Sequence, residues 1–471
     1  MATQKPSRPD YRLIRPVKHL IKLPPVFVAP DATVAQTALT MQRARVGSAL
    51  VASEPPGIVT DRDLRGRVLA ANLGPDTAVA QVMTTPLKTI DAEALAFAAL
   101  RLMIDENIHH LPVVEEGKII GVVSATDLLL DQTNNPMYLR SVIDDLDRPS
   151  AIGNYASAIA ALVEALFRGG LGAVQIGHVV SGLNDALARR MVQMAEQALG
   201  PPPVSYAWIV FGSEGRMEQI LLTDQDNALV YQDSTSATHG YFAELARRVV
   251  NSLMEAGLPP CAGGFMATHW CKTLDDWQRL FTAWLRSPEP KALLDASIFF
   301  DFRPVAGALS LEPLHELIGA AASERLFLAH MLKGALEFQP PLGIFNRLRT
   351  EEGKIDLKKT AIMPIVGMAR VAALAAGSRR RSSFDRLDVA ASSRAILSRD
   401  TAQALAEILP FLLRLRVNAQ LAARHVDQPL DNRITLAQLS TFERRQLREA
   451  FVLIKNTQDE LRAVWRLHQL G

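Results

Sequence analysis

An imperfect internal repeat near the start of this 471-residue chain limits its fold more than any other feature. The second copy is the clearer one. Met83-Thr84 leads through Leu87–Ile90 into a helix-like stretch from Asp91 to Glu106, then to the strand-like Leu111–Val114. A turn at Glu115–Lys118, the apolar Ile119–Val123 and Ser124-Ala125-Thr126-Asp127 at a helix start complete it. The first copy runs in the same order: Val26-Phe27-Val28, a helical stretch ending near Met41, Ala49-Leu50-Val51, a turn at Pro55–Gly57, Ile58-Val59 and Thr60-Asp61-Arg62-Asp63. It is two residues shorter around the hairpin. A repeated unit of this size is one supersecondary block that buries its apolar face against its twin.

Both copies end in Ser/Thr-x-x-Asp directly before a helix, as GIVTDRDL (57–64) and GVVSATDL (121–128). Two readings fit these residues. A hydroxyl and helix-start amides suit phosphate, and a carboxylate suits ribose hydroxyls. The same pattern is also close to a capping box, in which the side chains satisfy the helix's own amides. The pair resembles a tandem of CBS domains. The resemblance implies a βαββα unit in each copy, one module over residues 21–132, and an adenine-nucleotide cleft served by Thr60 and Asp63 on one side and Ser124 and Asp127 on the other. Residues 1–20, polar and basic with Pro6, Pro9 and Pro16, read as a loose arm.

Residues 133–205 read as a helical linker. Ala156–Phe167 and Ile176–Leu199 carry apolar residues at helical spacing, interrupted by Gly169-Gly170. Gly200-Pro201-Pro202-Pro203 ends that pattern, because proline cannot continue a helix and drives the residue before it towards extended geometry.

The stretch FGSEGRMEQILLTDQDNALV (211–230) follows at once and carries the chemistry. Tyr206–Phe211 reads as a short buried strand, and Glu214–Leu222 leaves room for a short helix. Gly212 lets backbone approach a phosphate without Cβ interference, and Ser213 adds a hydroxyl. Asp224 and Asp226, two apart in an extended segment, project to one face and can hold Mg²⁺ against a nucleoside triphosphate. The bland alternative is a Gly-Ser turn and two aspartates in an Asx-type turn. The pattern resembles the nucleotidyltransferase superfamily that includes DNA polymerase beta, although Gln225 and Asn227 stand where apolar residues are usual. A subgroup similar to PII-protein uridylyltransferases carries nearly the same string and is often fused to CBS pairs. The resemblance implies that Gly212 and Ser213 hold the triphosphate, that Asp224 and Asp226 bind Mg²⁺, and that a third carboxylate comes from a later strand. Asp301, in Ile298–Arg303 read as a strand, is the candidate for that third ligand, with an Asp301–Arg303 pair as its alternative. Arg216 reads as a phosphate clamp or as a partner of Glu214 or Glu218.

Phe265, Met266 and Trp270, in the Gly-rich segment 259–272, read as core, and Cys261 as a buried small residue. Residues 206–310 thus form an α/β transferase domain, and 311–471 a helical domain with apolar periodicity over Ala402–Leu415 and Phe442–Leu453. Two stretches there, Ile355–Arg370 and Leu430-Asp431-Asn432, resemble the helical substrate-binding domain of the same subgroup; Lys358, Lys359 and Arg370 face either solvent or an anion. Arg379-Arg380-Arg381 reads as an exposed loop without interleaved aromatics.

With a net charge of +2, composition gives no electrostatic case for a nucleic-acid or membrane partner. The two cysteines, Cys261 and Cys271, lack the spacing of a zinc or disulfide framework. No apolar h-region opens the chain, and no apolar run was read as approaching the ~20 residues that span a bilayer. The expectation is a cytoplasmic Mg²⁺-dependent nucleotidyltransferase, a homodimer by resemblance to CBS pairs, acting on a protein or small-molecule hydroxyl under control of an adenine nucleotide. The rival expectation is a non-catalytic adenylate sensor that works through partner proteins.

Overall fold

Each copy of the repeat builds a three-stranded sheet in the computed structural model, which describes residues 13, 15–128, 135–221, 224–233, 235–287, 289–426, 428–465 and 467. In the first copy, β1 (Phe27–Val28) lies parallel to β2 (Ser48–Val51), and β2 pairs antiparallel with β3 (Gly57–Thr60), Leu50 facing Ile58. The second copy repeats this with β4 (Ile90–Asp91), β5 (His110–Glu115) and β6 (Lys118–Ser124). A parallel pair needs a crossover, supplied by the helices Val34–Ala44 and Ala96–Glu106. Both helices end on a left-handed residue, Arg45 or Asn107, which turns the chain into the next strand. Val28, Val34, Met41, Ala49, Val51 and Val59 form the first copy's core.

Most of the expected loose arm, residues 1–12 and 14, lies outside the described residues. The rest is not loose. Val17 is fully buried, its amide donates to the Ala94 carbonyl at 2.7 Å, and Val17–Leu20 forms a helical turn against the second copy.

The chain from Val142 onward, apart from Arg168–Leu171, forms a second unit. Its sheet has the order β10-β7-β8-β9, from β7 (Tyr206–Val210), β8 (Asn227–Tyr231), β9 (Cys271–Thr273) and β10 (Arg303–Gly307). Every residue of β7 and β8 is buried, which fits their unbroken apolar runs. Around the sheet lie the helices Ala173–Leu199, Ser236–Glu255, Leu274–Arg286 and Pro290–Phe299. An aromatic cluster centred on Phe299, with Phe265, Trp270, Trp277 and Trp284 around it, packs beneath the sheet.

Most of the region expected to be a linker, Val142–Phe167 and the chain from Gly172, belongs to this unit. Helix Ala173–Leu199 buries sixteen residues, and its Asp185 carboxylate takes both Nη atoms of Arg303 at 2.5 and 2.9 Å. A helix with charges fixed by the sheet is framework. One stretch, Pro149–Arg168, is long and apolar enough by length and composition to cross a membrane, which corrects the expectation that no run approaches that length. Its Tyr155, Ile159, Leu162, Val163 and Leu166 are buried in the protein.

The C-terminal part is helical, as the periodicity predicts, with Arg399–His425 and Thr441–Val464 the longest elements. Helix Met363–Ala375 is apolar all round apart from Arg370 and buried along most of its length. The two less routine stretches of the sequence meet here. Their strands β11 (Lys354–Asp356) and β12 (Arg433–Thr435) pair antiparallel, and the Leu357 amide donates to the Asn432 carbonyl at 3.0 Å. In the arginine run Arg379 and Arg380 are exposed in a loop, as expected, but Arg381 is not. Arg381 is half-buried and donates to the Phe302 carbonyl at 3.4 Å, and the Arg380 carbonyl accepts from Arg386.

Candidate active site

β7 delivers the chain to Phe211, and the backbone then reverses at Gly212, where φ is +59°. A Cβ there would lie 2.7 Å from a carboxylate oxygen of Asp226, so only glycine brings this turn against that side chain. Gly215 is equally constrained by contact, because its Cβ would sit 2.1 Å from the Asp301 carbonyl oxygen. Gly215→Ala is therefore expected to lower stability by about 1–3 kcal/mol, measurable as an earlier denaturant midpoint.

Asp224 and Asp226 lie just before β8 begins at Asn227. Their segment is held extended from both sides. The Phe211 amide donates to the Asp226 carbonyl at 3.2 Å, and the Gln225 amide donates to the Pro259 carbonyl at 3.0 Å. Gln225 and Asn227, the polar departures from the superfamily pattern, are structural. The Gln225 side-chain amide donates to the carbonyls of Leu258 and Val250, and Asn227 accepts from the Ala267 amide at 2.9 Å. They bolt the 258–267 loop to the carboxylate segment. Leu222 and Thr223, within the spacer read as room for a helix, lie outside the described residues; the described part holds one short turn, Gly212–Gly215.

This bolt brings a third donor into place. Donor atoms of Asp224, Asp226 and Cys261 all lie within 4.8 Å of one another. Cys261 is half-buried beside Asp226, which corrects its reading as a small core residue. Burial and the neighbouring Asp224 push the Asp226 carboxyl up to about 7, against the opposing pull of Cys261, Lys358 and Arg216. Two carboxylates this close, in a partly dry site, favour a cation between them. Lys358 is the one helical-domain residue expected to face an anion that acts on this pair. Arg416 was not expected. It lies within electrostatic reach of Asp224 and Asp356, and its buried Nε has no hydrogen-bond partner. Its only sequence signal was an arginine in an apolar helix, indistinguishable from its neighbours.

Asp301 is a correction. The segment 298–302 is not a strand: helix Pro290–Phe299 ends there, and β10 starts at Arg303. Alternating Ile298, Phe300 and Phe302 suggested a strand, but Phe299 is buried as well, so the apolar run has no free face. The Asp301 carboxylate, fully buried, is held by three guanidinium groups: Arg216 at 2.6 Å, Arg370 at 2.7 Å and Arg386 at 2.6 Å. Burial alone would raise this carboxyl, but Arg370, Arg386 and Arg216 hold it well below the usual range. With its oxygens taken, it does not join Asp224 and Asp226. Nor does it pair with Arg303, which goes to Asp185.

Arg216 gives two of its three guanidinium nitrogens to carboxylates, which fits its reading as a carboxylate partner rather than a phosphate clamp. Its Nε binds Glu218 at 2.8 Å and its Nη1 binds Asp301. Glu218 in turn accepts from the Ser383 amide at 2.6 Å and its hydroxyl at 3.0 Å. Arg370 likewise faces Asp301 through Nε and Nη2. Glu214 is buried, and burial with the nearby Asp185 raises its carboxyl to about 8.

In the N-terminal unit both Ser/Thr-x-x-Asp motifs close as capping boxes. Asp63 accepts from the Thr60 amide at 2.9 Å and hydroxyl at 2.7 Å, and Asp127 from those of Ser124 at 2.8 and 2.5 Å. Ser124 and Asp127 also line a cavity of about 340 Å³ with Lys22, Arg45 and His110. Lys22 reaches the free Asp127 oxygen at 2.6 Å.

Comparison with known proteins fits this division. Residues 157–291 match the family described as "Putative nucleotidyltransferase DUF294", residues 325–464 match "Putative nucleotidyltransferase substrate binding domain", and residues 17–70 and 79–131 each match the CBS domain. The chain is a CBS-domain protein that carries a DUF294 nucleotidyltransferase module. Among curated relatives, an uncharacterized protein of Methanopyrus kandleri is 34% identical over 106 residues, 21% of this chain and 54% of its own length. The CBS domain-containing protein YhcV of Bacillus subtilis is 31% identical over 110 residues, 23% of this chain and 79% of its own. The chain spans only 27% of an Arabidopsis thaliana CBS domain-containing protein that is 32% identical over 168 residues. A CBS domain protein from Pyrobaculum aerophilum, solved with AMP, is 28% identical with a TM-score of 0.23, covering 25% of this chain and 92% of that one. The DUF294 match encloses Gly212, Ser213, Asp224, Asp226 and Cys261, and the CBS matches enclose Lys22 and both capping boxes.

Proposed function

We propose that the DUF294 module is a divalent-cation-dependent transferase that moves a nucleoside monophosphate from an NTP to a hydroxyl group. The carrying observation is that Asp224 and Asp226 bring their carboxylates together, with Asp226 packed against Gly212, inside a family-matched nucleotidyltransferase region. Carboxylate oxygens at this spacing fit Mg²⁺, which takes one or two protein carboxylates and completes its shell with phosphate and water. When bound, Mg²⁺ would neutralise triphosphate charge and polarise the reacting oxygens.

The chain's own groups divide the remaining work. Gly212 gives a phosphate oxygen close approach to backbone, and Ser213 offers a hydroxyl donor. Lys358 and Arg416 bring positive charge to the same carboxylates from the helical domain. Their side chains suit the β- and γ-phosphates of an NTP. The acceptor oxygen attacks the α-phosphorus, its P–O bond forms as the bond to pyrophosphate breaks, and the hydroxyl proton leaves to solvent. Arg216 and Asp301 act as positioning residues that hold the Gly-Ser turn. The acceptor is a protein, as in PII uridylylation, or a small molecule.

Regulation is assigned to the CBS pair. Lys22 and Arg45 line the cavity beside Ser124 and Asp127, and this supports the reading: their charges would suit a nucleotide phosphate, and the Asp127 carboxylate a ribose. An effector there changes activity only if it favours one arrangement of the protein over another.

The test uses the full chain, Mg²⁺, α-labelled NTPs and lysate of the host organism, with Asp224→Asn in parallel. Label incorporation that disappears in Asp224→Asn and responds to added AMP or ATP is expected. Label on a protein-retaining filter identifies a protein acceptor, and label passing through identifies a small one. AMP binding to the full chain without any label transfer would instead favour the sensor reading.

A further inference from the structure

We propose that Cys261 is a third protein ligand of the Asp224–Asp226 cation site. The site thereby accepts thiophilic divalent ions of the zinc and cadmium class in competition with Mg²⁺. This deepens the transferase reading and rests on its placement of the cation.

The thiol's position is built, not incidental. Gln225, the residue between the two carboxylates, holds the loop that carries Cys261 through three contacts. Its amide donates to the Pro259 carbonyl at 3.0 Å, its side chain donates to the Leu258 carbonyl at 2.9 Å, and it forms a parallel bridge with Pro260. The Gly264 amide donates back to the Cys261 carbonyl at 3.0 Å and closes the turn. Loop and carboxylates therefore move as one body. Asp301, the carboxylate the superfamily pattern suggests as third ligand, is sealed among three arginines. The place beside Asp224 and Asp226 is taken by sulfur instead. Among the described residues, no other group of three such donors converges.

Donor chemistry then decides which ions the site accepts. Mg²⁺ binds oxygen and leaves the thiol aside, so its site is the carboxylate pair plus phosphate and water. Zn²⁺ takes thiolate and carboxylate in one tetrahedral shell, and cadmium shares that preference for sulfur. Two carboxylates and one thiolate leave a single open position. Binding breaks the Cys261 S–H bond, forms a sulfur–metal bond and releases one proton to buffer, with no change of oxidation state. An ion held this way occupies the space the catalytic cation needs, so zinc is expected to inhibit transfer and excess Mg²⁺ to relieve it.

The experiment titrates the full chain with Cd²⁺ and follows the ultraviolet sulfur-to-cadmium charge-transfer band. One Cd²⁺ per chain with a clear band is expected. Cys261→Ser should abolish the band and weaken Cd²⁺ binding by about tenfold or more. Cys271→Ser should leave both unchanged. A second measurement needs no variant: Zn²⁺ should slow alkylation of Cys261 in the parent chain, read by peptide mass spectrometry, and leave the rate at Cys271 unaltered. A band that survives Cys261→Ser, no band in the parent, or alkylation of Cys261 indifferent to Zn²⁺ overturns the proposal. If the parent transfers label with Mg²⁺ but shows no band, the cysteine ligand fails and the transferase reading stands. If the band appears and label transfer does not, the metal site stands and the transferase reading fails.

Discussion

Replacing Asp301 with alanine is expected to cost about 3–5 kcal/mol of stability, seen as an earlier chemical-unfolding midpoint of the full chain. The carboxylate is fully buried, and Arg216, Arg370 and Arg386 all converge on it. Removing it leaves three positive groups in a dry site, with Glu218, on Arg216, the one other carboxylate paired to them among the described residues. Burial of an ion pair is itself of uncertain net benefit, but removing one partner exposes the full desolvation cost of the others. Acid should reproduce part of the effect. The folded-state carboxyl lies below its unfolded value of about 3.9, so its contribution is fully present above that value and is lost as pH falls through the acid range below it. A parent chain and an Asp301→Ala chain should therefore differ most near neutral pH and converge towards strong acid. Equal midpoints at neutral pH would show that the arginines find other partners.

Asp226→Asn should do the opposite to stability and far more to activity. The change keeps the shape of the side chain against Gly212 but removes a charge from the cation site. Loss of transferase activity by on the order of a thousandfold is expected, equivalent to about 4 kcal/mol of transition-state stabilisation. Without cation, the variant should be more stable than the parent by on the order of 1 kcal/mol, because burial and then the neighbouring Asp224 both penalise the Asp226 charge. The pair of measurements separates the two carboxylates. On the proposed reading one aspartate costs stability and supplies chemistry, while the other supplies stability and stays away from the chemistry. A variant with full activity would remove Asp226 from the site.

The parts legible in the sequence were those written in short-range pattern. The repeat, the Ser/Thr-x-x-Asp helix starts, the Gly-Ser turn and the paired aspartates each fall within a few residues, and each is found where its local chemistry places it. The alternation around Asp301 misled because Phe299, Phe300 and Phe302 carry no clean period, and the helix before it claimed Phe299. The arginines on Asp301 come from positions 69 and 85 residues away, and nothing local marks them. Gln225 and Asn227 looked like departures from a pattern; they are fasteners for a loop whose importance lies in what it carries. The local mark on Cys261 is Pro259-Pro260 before it, which fixes the chain's direction.

The Asp301 cluster also bears on how such a chain can be recombined. Arg216 belongs to the half that carries the Gly-Ser turn, while Arg370 and Arg386 belong to the helical half. A chimera that joins this transferase half to a foreign helical half inherits the aspartate without two of its three counter-charges. Grafts across that joint are viable only where the donor supplies guanidinium groups at both places. The two halves form a single heritable part.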